Sequence, residues 1–224
     1  MGTLTDRLEQ IGDKARKTLA AKDAARERAI PLSRDAIRYC SDAIRAIHRG
    51  EFEKGKVLLD SARLLLRDLD KALSEHQELG DAGFVYNAQK EYVEGCITHA
   101  LIAGGAFPDA DELGVSYAAY LNGMGEAVGE LRRHLLDRIR RGEVDRCEEL
   151  LSIMDDIYGV LVTMDFPDAV TGGLRRTTDI VRSILERTRG DLTLSFRQRD
   201  LEEKLAAFEE RLNIGTIESS GKEG

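Results

Sequence analysis

The chain has 224 residues, of which 33% are charged, 42% are hydrophobic and only 5% are aromatic. This length is sufficient for one domain with a substantial core, and the short β-branched and aromatic runs favour an all-α protein. The formal net charge of −8 means that the average surface repels polyanions. Any contact with a nucleic acid therefore requires a local basic surface.

The cysteines exclude two small-domain architectures. Cys40, Cys96 and Cys147 are odd in number, far apart and without a C-x-x-C pair. A disulfide framework and a zinc knuckle are therefore excluded, and a reducing cytoplasm is indicated. Because no apolar stretch is long enough for a bilayer and the N-terminus lacks the shape of a signal peptide, we expect a soluble cytoplasmic protein without membrane contact.

Apolar residues recur at helical spacing between breaks at glycine and proline, which predicts six long helices. In chain order they are expected at 4–49, 52–78, 82–103, 112–141, 145–164 and 170–210. Pro31 either begins a second helix or lies inside a continuous, kinked one. The segment 190–196 is either a kink or a short extended insert. Because most of these helices exceed the usual length, the sequence predicts a long-helix bundle of six or seven helices.

The C-terminal part of the last helix carries an apolar stripe. Leu201, Leu205, Phe208 and Leu212 recur at i, i+4, i+7 and i+11, which is typical of a packing surface and compatible with self-association. We expect residues 1–212 to form a single domain. Residues 213–224 have little to bury and are expected to be a disordered tail.

Four arginines of the first helix share one side. Arg34, Arg38, Arg45 and Arg49 fall within about 60° of one another at helical spacing. They form either an ordinary solvated face or a surface that grips RNA phosphates without reading sequence.

Two stretches stand out because they lack charge. Residues 83–104 contain one basic and two acidic residues, and residues 113–129 contain one acidic residue. Both are predicted to be central, buried helices. The acidic residues of the two stretches, together with Glu130 directly after the second stretch, form two pairs. The two members of each pair lie on the same face of their helix. The pairs are Glu91 with Glu94 and Glu126 with Glu130.

If these helices face each other, four carboxylates converge and repel one another in an apolar setting. A hard divalent cation, Mg²⁺ or Mn²⁺, relieves that repulsion and supports phosphodiester cleavage. Alternatively, Arg132 or Arg133 pairs with the glutamates in a structural network. A di-iron site needs Glu-x-x-His twice, but Ile97 and Arg133 stand at the histidine positions.

Three stretches together carry a family resemblance. They are Leu-Ser-Arg-Asp at 32–35 with Ile-His-Arg at 47–49, Glu-Tyr-Val-Glu at 91–94, and the segment 120–131, which ends in Gly-Glu-Leu. On these residues the chain resembles the translin/Trax family and looks like an archaeal Trax-type member, over roughly residues 20–190.

The resemblance implies a seven-helix-type fold that assembles into a hollow octamer, with Mg²⁺-dependent endoribonuclease activity in the Trax-type subunit. It places the catalytic and metal-binding positions at Glu91, Glu94, Glu126 and Glu130. It places the arginines of the first helix on the RNA-holding interior. The family commonly has Asp where this chain has Glu126.

These observations lead to one main hypothesis and two alternatives. The first is a metal-dependent endoribonuclease that cuts single-stranded or loosely paired RNA inside a homo-oligomeric shell. An interior site reconciles RNA binding with the charge of −8, because acidic residues can face outwards. The second is a non-catalytic, translin-like scaffold that binds RNA or single-stranded DNA, and the third is a purely structural helical oligomer.

Overall fold

A computed structural model describes residues 3–80 and 82–220, with side chains to residue 209. Within these residues the chain forms eight α-helices and no strand, so the all-α prediction is confirmed. The helices are α1 (Leu4–His48), α2 (Phe52–Ala72), α3 (Gly83–Ala103), α4 (Ala110–Leu113), α5 (Tyr117–Arg140), α6 (Cys147–Val162), α7 (Asp168–Thr171) and α8 (Leu174–Ser220). A single 3₁₀ turn, Gln77–Leu79, precedes α3.

The six long helices are confirmed, with some different ends. Pro31 lies inside one continuous α1, and the segment 190–196 is helical within α8, so the extended insert was wrong. The second helix stops at Ala72. The fourth predicted helix is divided, because Gly114 adopts φ 70° after α4 and the Ser116 side chain then caps α5.

The two helices with little charge are central, as predicted. Helix α3 packs against α1 and α2 on one side and against α5 on the other, and α5 also contacts α6 and α8. One apolar cluster joins α1, α2 and α3 around Cys40, Leu59 and Tyr92. A larger one joins α3, α5, α6 and α8 around Ile97 and Leu131.

Helices α3 and α5 approach very closely at Gly123. A Cβ atom on this residue would lie 2.5 Å from the carbonyl oxygen of Lys90 and 2.7 Å from Cβ of Val93. Only glycine fits this approach without a shift. Gly123 therefore sets the distance between the helices that carry the four glutamates.

The outer parts of α1 and α8 project beyond the bundle. The first fully buried residue of α1 is Ala25, and every residue of α8 from 197 to 209 is exposed. Leu201, Leu205 and Phe208 are 52–58% exposed, so their predicted stripe packs on nothing within the described chain. The side chain of Leu212 lies outside the described residues.

Helix α8 runs to Ser220, past the domain end expected at residue 212. Residues 221–224 of the expected tail lie outside the described residues, and the division of the chain into domain and tail stays a prediction. No helix in the described part of the chain is long and apolar enough to cross a membrane.

Candidate metal centre

Three of the four predicted glutamates meet between α3 and α5. Glu91, Glu94 and Glu126 each offer a carboxylate oxygen, and these oxygens all lie within 4.8 Å of one another. All three side chains are half-buried. We call these residues the carboxylate cluster.

The cluster holds more negative charge than its surroundings neutralise. The pKa of Glu94 is raised to about 8, mainly by burial and, in decreasing order of importance, by Glu91, Glu126 and Glu130. Burial also raises the pKa of Glu91, with an added contribution from Glu126. Three carboxyl groups, two of them with raised pKa values, form a site where a cation would favour the ionised state.

Lys90 is the internal counter-charge of the cluster. Its ammonium Nζ lies 2.5 Å from Oε1 of Glu126, and its side chain is only 19% exposed. The same ammonium lowers the pKa of Glu91 and Glu94, but burial and the neighbouring carboxylates outweigh it. One lysine therefore compensates three carboxylates only in part.

Glu130 does not join the cluster, which corrects the expectation that four carboxylates converge. Its Oε2 is bonded to Nε2 of His48, and the guanidinium of Arg133 lies 3.6 Å away. The bond from His48 lowers the pKa of Glu130 despite burial. The His48 side chain is 95% buried, and its bond holds the Glu130 carboxylate towards α1 rather than towards the cluster.

The predicted structural network around Arg132 and Arg133 forms only in part. Arg132 is bonded to Asp191 at 2.7 Å and to Thr188 at 2.9 Å, so it neutralises none of the four glutamates. Of the four glutamates, Arg133 contacts only Glu130 within the described residues.

The four arginines of α1 are exposed, as an RNA-binding surface requires. Three of them have acidic neighbours: Arg38 lies 3.0 Å from Asp35, Arg45 pairs with Asp42, and Arg49 lies 2.7 Å from Glu51. Arg34 has no ion pair within the described residues. Their role in RNA binding stays a prediction, as does the catalytic role of the glutamates.

Sequence reasoning missed the importance of Lys90 and His48. Lys90 had a visible signal, because it is the only lysine or arginine between residues 83 and 104. His48 had none that pointed to Glu130, because 82 positions separate the two residues and they meet only in the folded chain.

The donor set of the cluster fits a hard divalent cation. Its ligands are carboxylate oxygens, and no histidine or cysteine belongs to the group. Oxygen-only sites of this kind suit Mg²⁺ and Mn²⁺ rather than zinc or copper.

Comparison with solved structures identifies the fold. The complex of AfC3PO with duplex RNA superimposes with a TM-score of 0.74 at 32% sequence identity, and the alignment covers 84% of this chain and 97% of that one. The chain belongs to the translin/Trax family. A second AfC3PO crystal structure aligns at 31% identity with the same coverage and TM-score.

Two more distant matches are a solved structure with the same fold and a relative matched by sequence. Apo-NeC3PO has a TM-score of 0.69 at 18% identity, over 87% of this chain and 98% of that one. An uncharacterized protein of Methanocaldococcus jannaschii is 29% identical over 202 residues, which cover 88% of this chain and 86% of that protein. No protein-family model matches the sequence.

Proposed function

We propose that this translin/Trax-family protein is an endoribonuclease that depends on a divalent cation. The observation that carries the proposal is the carboxylate cluster, in which three oxygens lie within 4.8 Å and burial raises the pKa of Glu94 to about 8. The AfC3PO complex with duplex RNA supports RNA as the ligand. Duplex RNA therefore stands beside single-stranded or loosely paired RNA among the substrates to test.

The residues of the cluster have defined tasks in this proposal. Glu91, Glu94 and Glu126 would hold Mg²⁺ or Mn²⁺, with Glu130 at the edge of the site. When bound, the cation would lower the pKa of a water molecule and stabilise the charge that develops on the phosphodiester. Lys90 pairs with the Glu126 carboxylate and would compete with the cation for it, and the His48 bond orients Glu130.

The remaining parts of the proposal concern RNA and assembly. Arg34, Arg38, Arg45 and Arg49 would contact phosphates without selecting a base, because guanidinium groups match phosphate oxygens. A hollow homo-oligomer, with eight subunits by family resemblance, would enclose the RNA and place the arginines inside. The exposed apolar ends of α1 and α8 supply surface for such an assembly.

A non-catalytic RNA-binding scaffold is the second candidate. One observation favours it: Lys90 already pairs with Glu126, and His48 already binds Glu130. Half of the four glutamates therefore have a partner within the chain. In this candidate the cluster is structural, and RNA binding needs no divalent ion.

The substitution Glu94→Gln separates the two candidates. It removes one charge from the cluster and keeps the side-chain size. We expect cleavage of a labelled RNA in Mg²⁺ to fall at least about 100-fold, because a metal ligand is lost, while RNA affinity changes by less than about threefold. Single-turnover cleavage and filter binding in EDTA measure the two effects.

Glu75→Gln is the matched control, because Glu75 is an exposed glutamate outside the cluster. It should cut RNA like the parent chain. Equal cleavage by the Glu94→Gln variant and the parent would remove the cluster from the chemistry. RNA binding without cleavage in Mg²⁺ or Mn²⁺ would favour the scaffold.

A further inference from the structure

A second polar site lies on the far side of the His48–Glu130 pair from the carboxylate cluster. It is a cavity of about 580 Å³ between the C-terminal ends of α1 and α5 and the start of α2. Its basic and imidazole side chains are those of His48, Arg49, His134, Arg138 and Arg141. We call this cavity the cationic pocket.

Two buried nitrogen atoms of the pocket residues lack partners. Nδ1 of His48 and Nε of Arg138 are inaccessible and have no hydrogen-bond partner in the described part of the chain. The other ring nitrogen of His48 is already engaged by Glu130, and the side chain is 95% buried. Buried polar groups are normally hydrogen-bonded, and both atoms belong to residues that line this cavity, which favours a polar ligand there.

The two acidic residues of the pocket are already engaged by basic residues, one of which is the pocket's own Arg49. Glu51 contacts Arg49 at 2.7 Å and Lys54 at 3.0 Å, and Asp137 lies 3.4 Å from the guanidinium of Arg140. Arg138 has Glu143 at 3.4 Å. Arg141 has no ion pair among the residues described, so its charge is available to a ligand.

The field inside the pocket is positive. The pKa of His134 is lowered to about 4, mainly by burial and then by Arg138, His48 and Arg141, against a small opposing effect of Asp137. A neutral or cationic ligand would not relieve this field. An anion would relieve it.

We propose that the cationic pocket binds a phosphate group of RNA, at a position next to the carboxylate cluster but separate from it. The proposal rests on the proposed function, because it takes RNA as the source of the phosphate. Phosphate oxygens accept from guanidinium N–H groups, and they also accept from Nδ1 of His48 when its imidazole is protonated. The volume leaves room for an attached sugar.

The first arm of the test uses inorganic phosphate and the full chain, without RNA and in EDTA. The imidazole signals of His48 and His134 are followed by ¹H–¹⁵N NMR during the titration, with chloride at equal ionic strength as reference. We expect saturable shifts, and about fivefold weaker binding in Arg141→Gln, because one guanidinium contact is lost.

Arg176→Gln is the matched control. Arg176 is an exposed arginine of α8 that does not line the pocket and has no ion pair among the described residues. It should bind phosphate like the parent chain. Chemical shifts that do not saturate, or an equal loss of phosphate affinity in both variants, would contradict phosphate binding in the cationic pocket.

The second arm distinguishes a terminal from an internal phosphate, in a Glu94→Gln background that should not cut. One RNA oligomer is prepared with a 5′-phosphate, with a 3′-phosphate or with hydroxyl ends. If the pocket takes a terminal phosphate, one phosphorylated form binds about fivefold tighter than the hydroxyl form, and Arg141→Gln removes the difference. If it takes an internal phosphate, all three forms bind alike and Arg141→Gln weakens all of them.

The two proposals fail in different ways. RNA affinity that does not respond to Arg141→Gln would overturn the assignment to RNA, even if inorganic phosphate binds. Absence of cleavage by the parent chain, with phosphate and RNA binding intact, would overturn the nuclease and leave the pocket standing.

Discussion

The carboxylate cluster and the cationic pocket are neighbours with opposite excess charge. Between α3 and α5, three carboxylates share one lysine. The pocket between α1, α2 and α5 is instead lined by three arginines and two histidines, and its two acidic residues are already paired. The His48–Glu130 pair separates them. Each region thus needs a counter-charge that the described residues do not supply, and a polyanion that carries divalent cations would satisfy both.

The two regions differ in how far the fold alone explains their charge. The last turns of α1 and α5 are rich in basic residues, such as Arg45, His48 and Arg138, which helix C-termini stabilise. The glutamates of the cluster lie within α3 and α5, where the helix dipole gives no such help. The fold therefore explains the arginines of the pocket, but neither the unpartnered Nδ1 of His48 nor the crowded carboxylates.

The largest expected effect comes from Gly123→Ala, which acts between the two helices that carry the cluster. The added Cβ would meet the carbonyl oxygen of Lys90 at 2.5 Å, so α3 and α5 must move apart. We expect the free energy of unfolding to fall by about 1–3 kcal/mol, as overpacking does. Mn²⁺ affinity, measured by calorimetry, should fall at least about tenfold, because the ligands separate.

Gly159→Ala is the control for that substitution, because a Cβ on this helical glycine meets nothing within 4 Å. It should be neutral or stabilising by up to about 1 kcal/mol. If Gly123→Ala weakens phosphate binding in the cationic pocket as much as Mn²⁺ binding, the two regions are not independent.

The pH dependence of stability should have opposite signs for the two regions. The pKa of Glu94 rises from its ordinary 4.5 to about 8, so between these values the folded chain binds a proton that the unfolded chain lacks. The free energy of unfolding then falls as pH rises, by at most about 1.4 kcal/mol per pH unit from this group. The pKa of His134 instead falls from 6.5 to about 4, so its contribution rises with pH over that window.

The two contributions overlap between about pH 4.5 and 6.5, and only the cluster acts from 6.5 to 8. Urea unfolding in EDTA should therefore show stability that declines from pH 6.5 to 8. The Glu94→Gln substitution should flatten the decline in stability between about pH 6.5 and 8. The His134→Gln substitution should leave that decline unchanged and should alter the pH dependence of stability below about pH 6.5. A decline that is unchanged in Glu94→Gln would contradict the raised pKa.

The smallest effect is expected from Lys90→Gln, which removes the internal counter-charge. Because Lys90 lowers the pKa of Glu91 and Glu94, its loss should destabilise the metal-free chain at pH 8 by about 1 kcal/mol, intermediate between exposed and buried pairs. Mn²⁺ should then bind more tightly, because no ammonium competes for Glu126.

Lys71→Gln is the control, since it breaks an exposed pair with Asp68. Thermal unfolding with and without Mn²⁺ measures both variants. Weaker Mn²⁺ binding in Lys90→Gln would show that Lys90 supports the cation site rather than competing with it.

Much of the fold was predictable because its signals are local. The low charge of 83–104 and 113–129 marks the central helices, and Pro108 and Pro167 mark real loops. The segment 190–196 was the failure: Gly190 weakens a helix locally, but Leu192 is buried against the larger core, and that packing keeps α8 continuous.

The site was predictable only as far as helix faces determine it. The spacing along each helix predicted which two glutamates share a face. Two carboxylates on the same helix face can still contact different neighbouring residues. Whether Glu130 joins the others depends on His48, which comes from α1. No pattern within α5 contains that information.

The projecting ends of α1 and α8 affect how the chain behaves when it is dilute. From residue 4 to residue 24, α1 extends about 30 Å with almost no contact to the bundle. A lone helix of this length is only marginally stable in water, whereas the bundle has its own core. Heating should therefore reveal two transitions, of which only the one that melts these arms moves to higher temperature as the protein is concentrated.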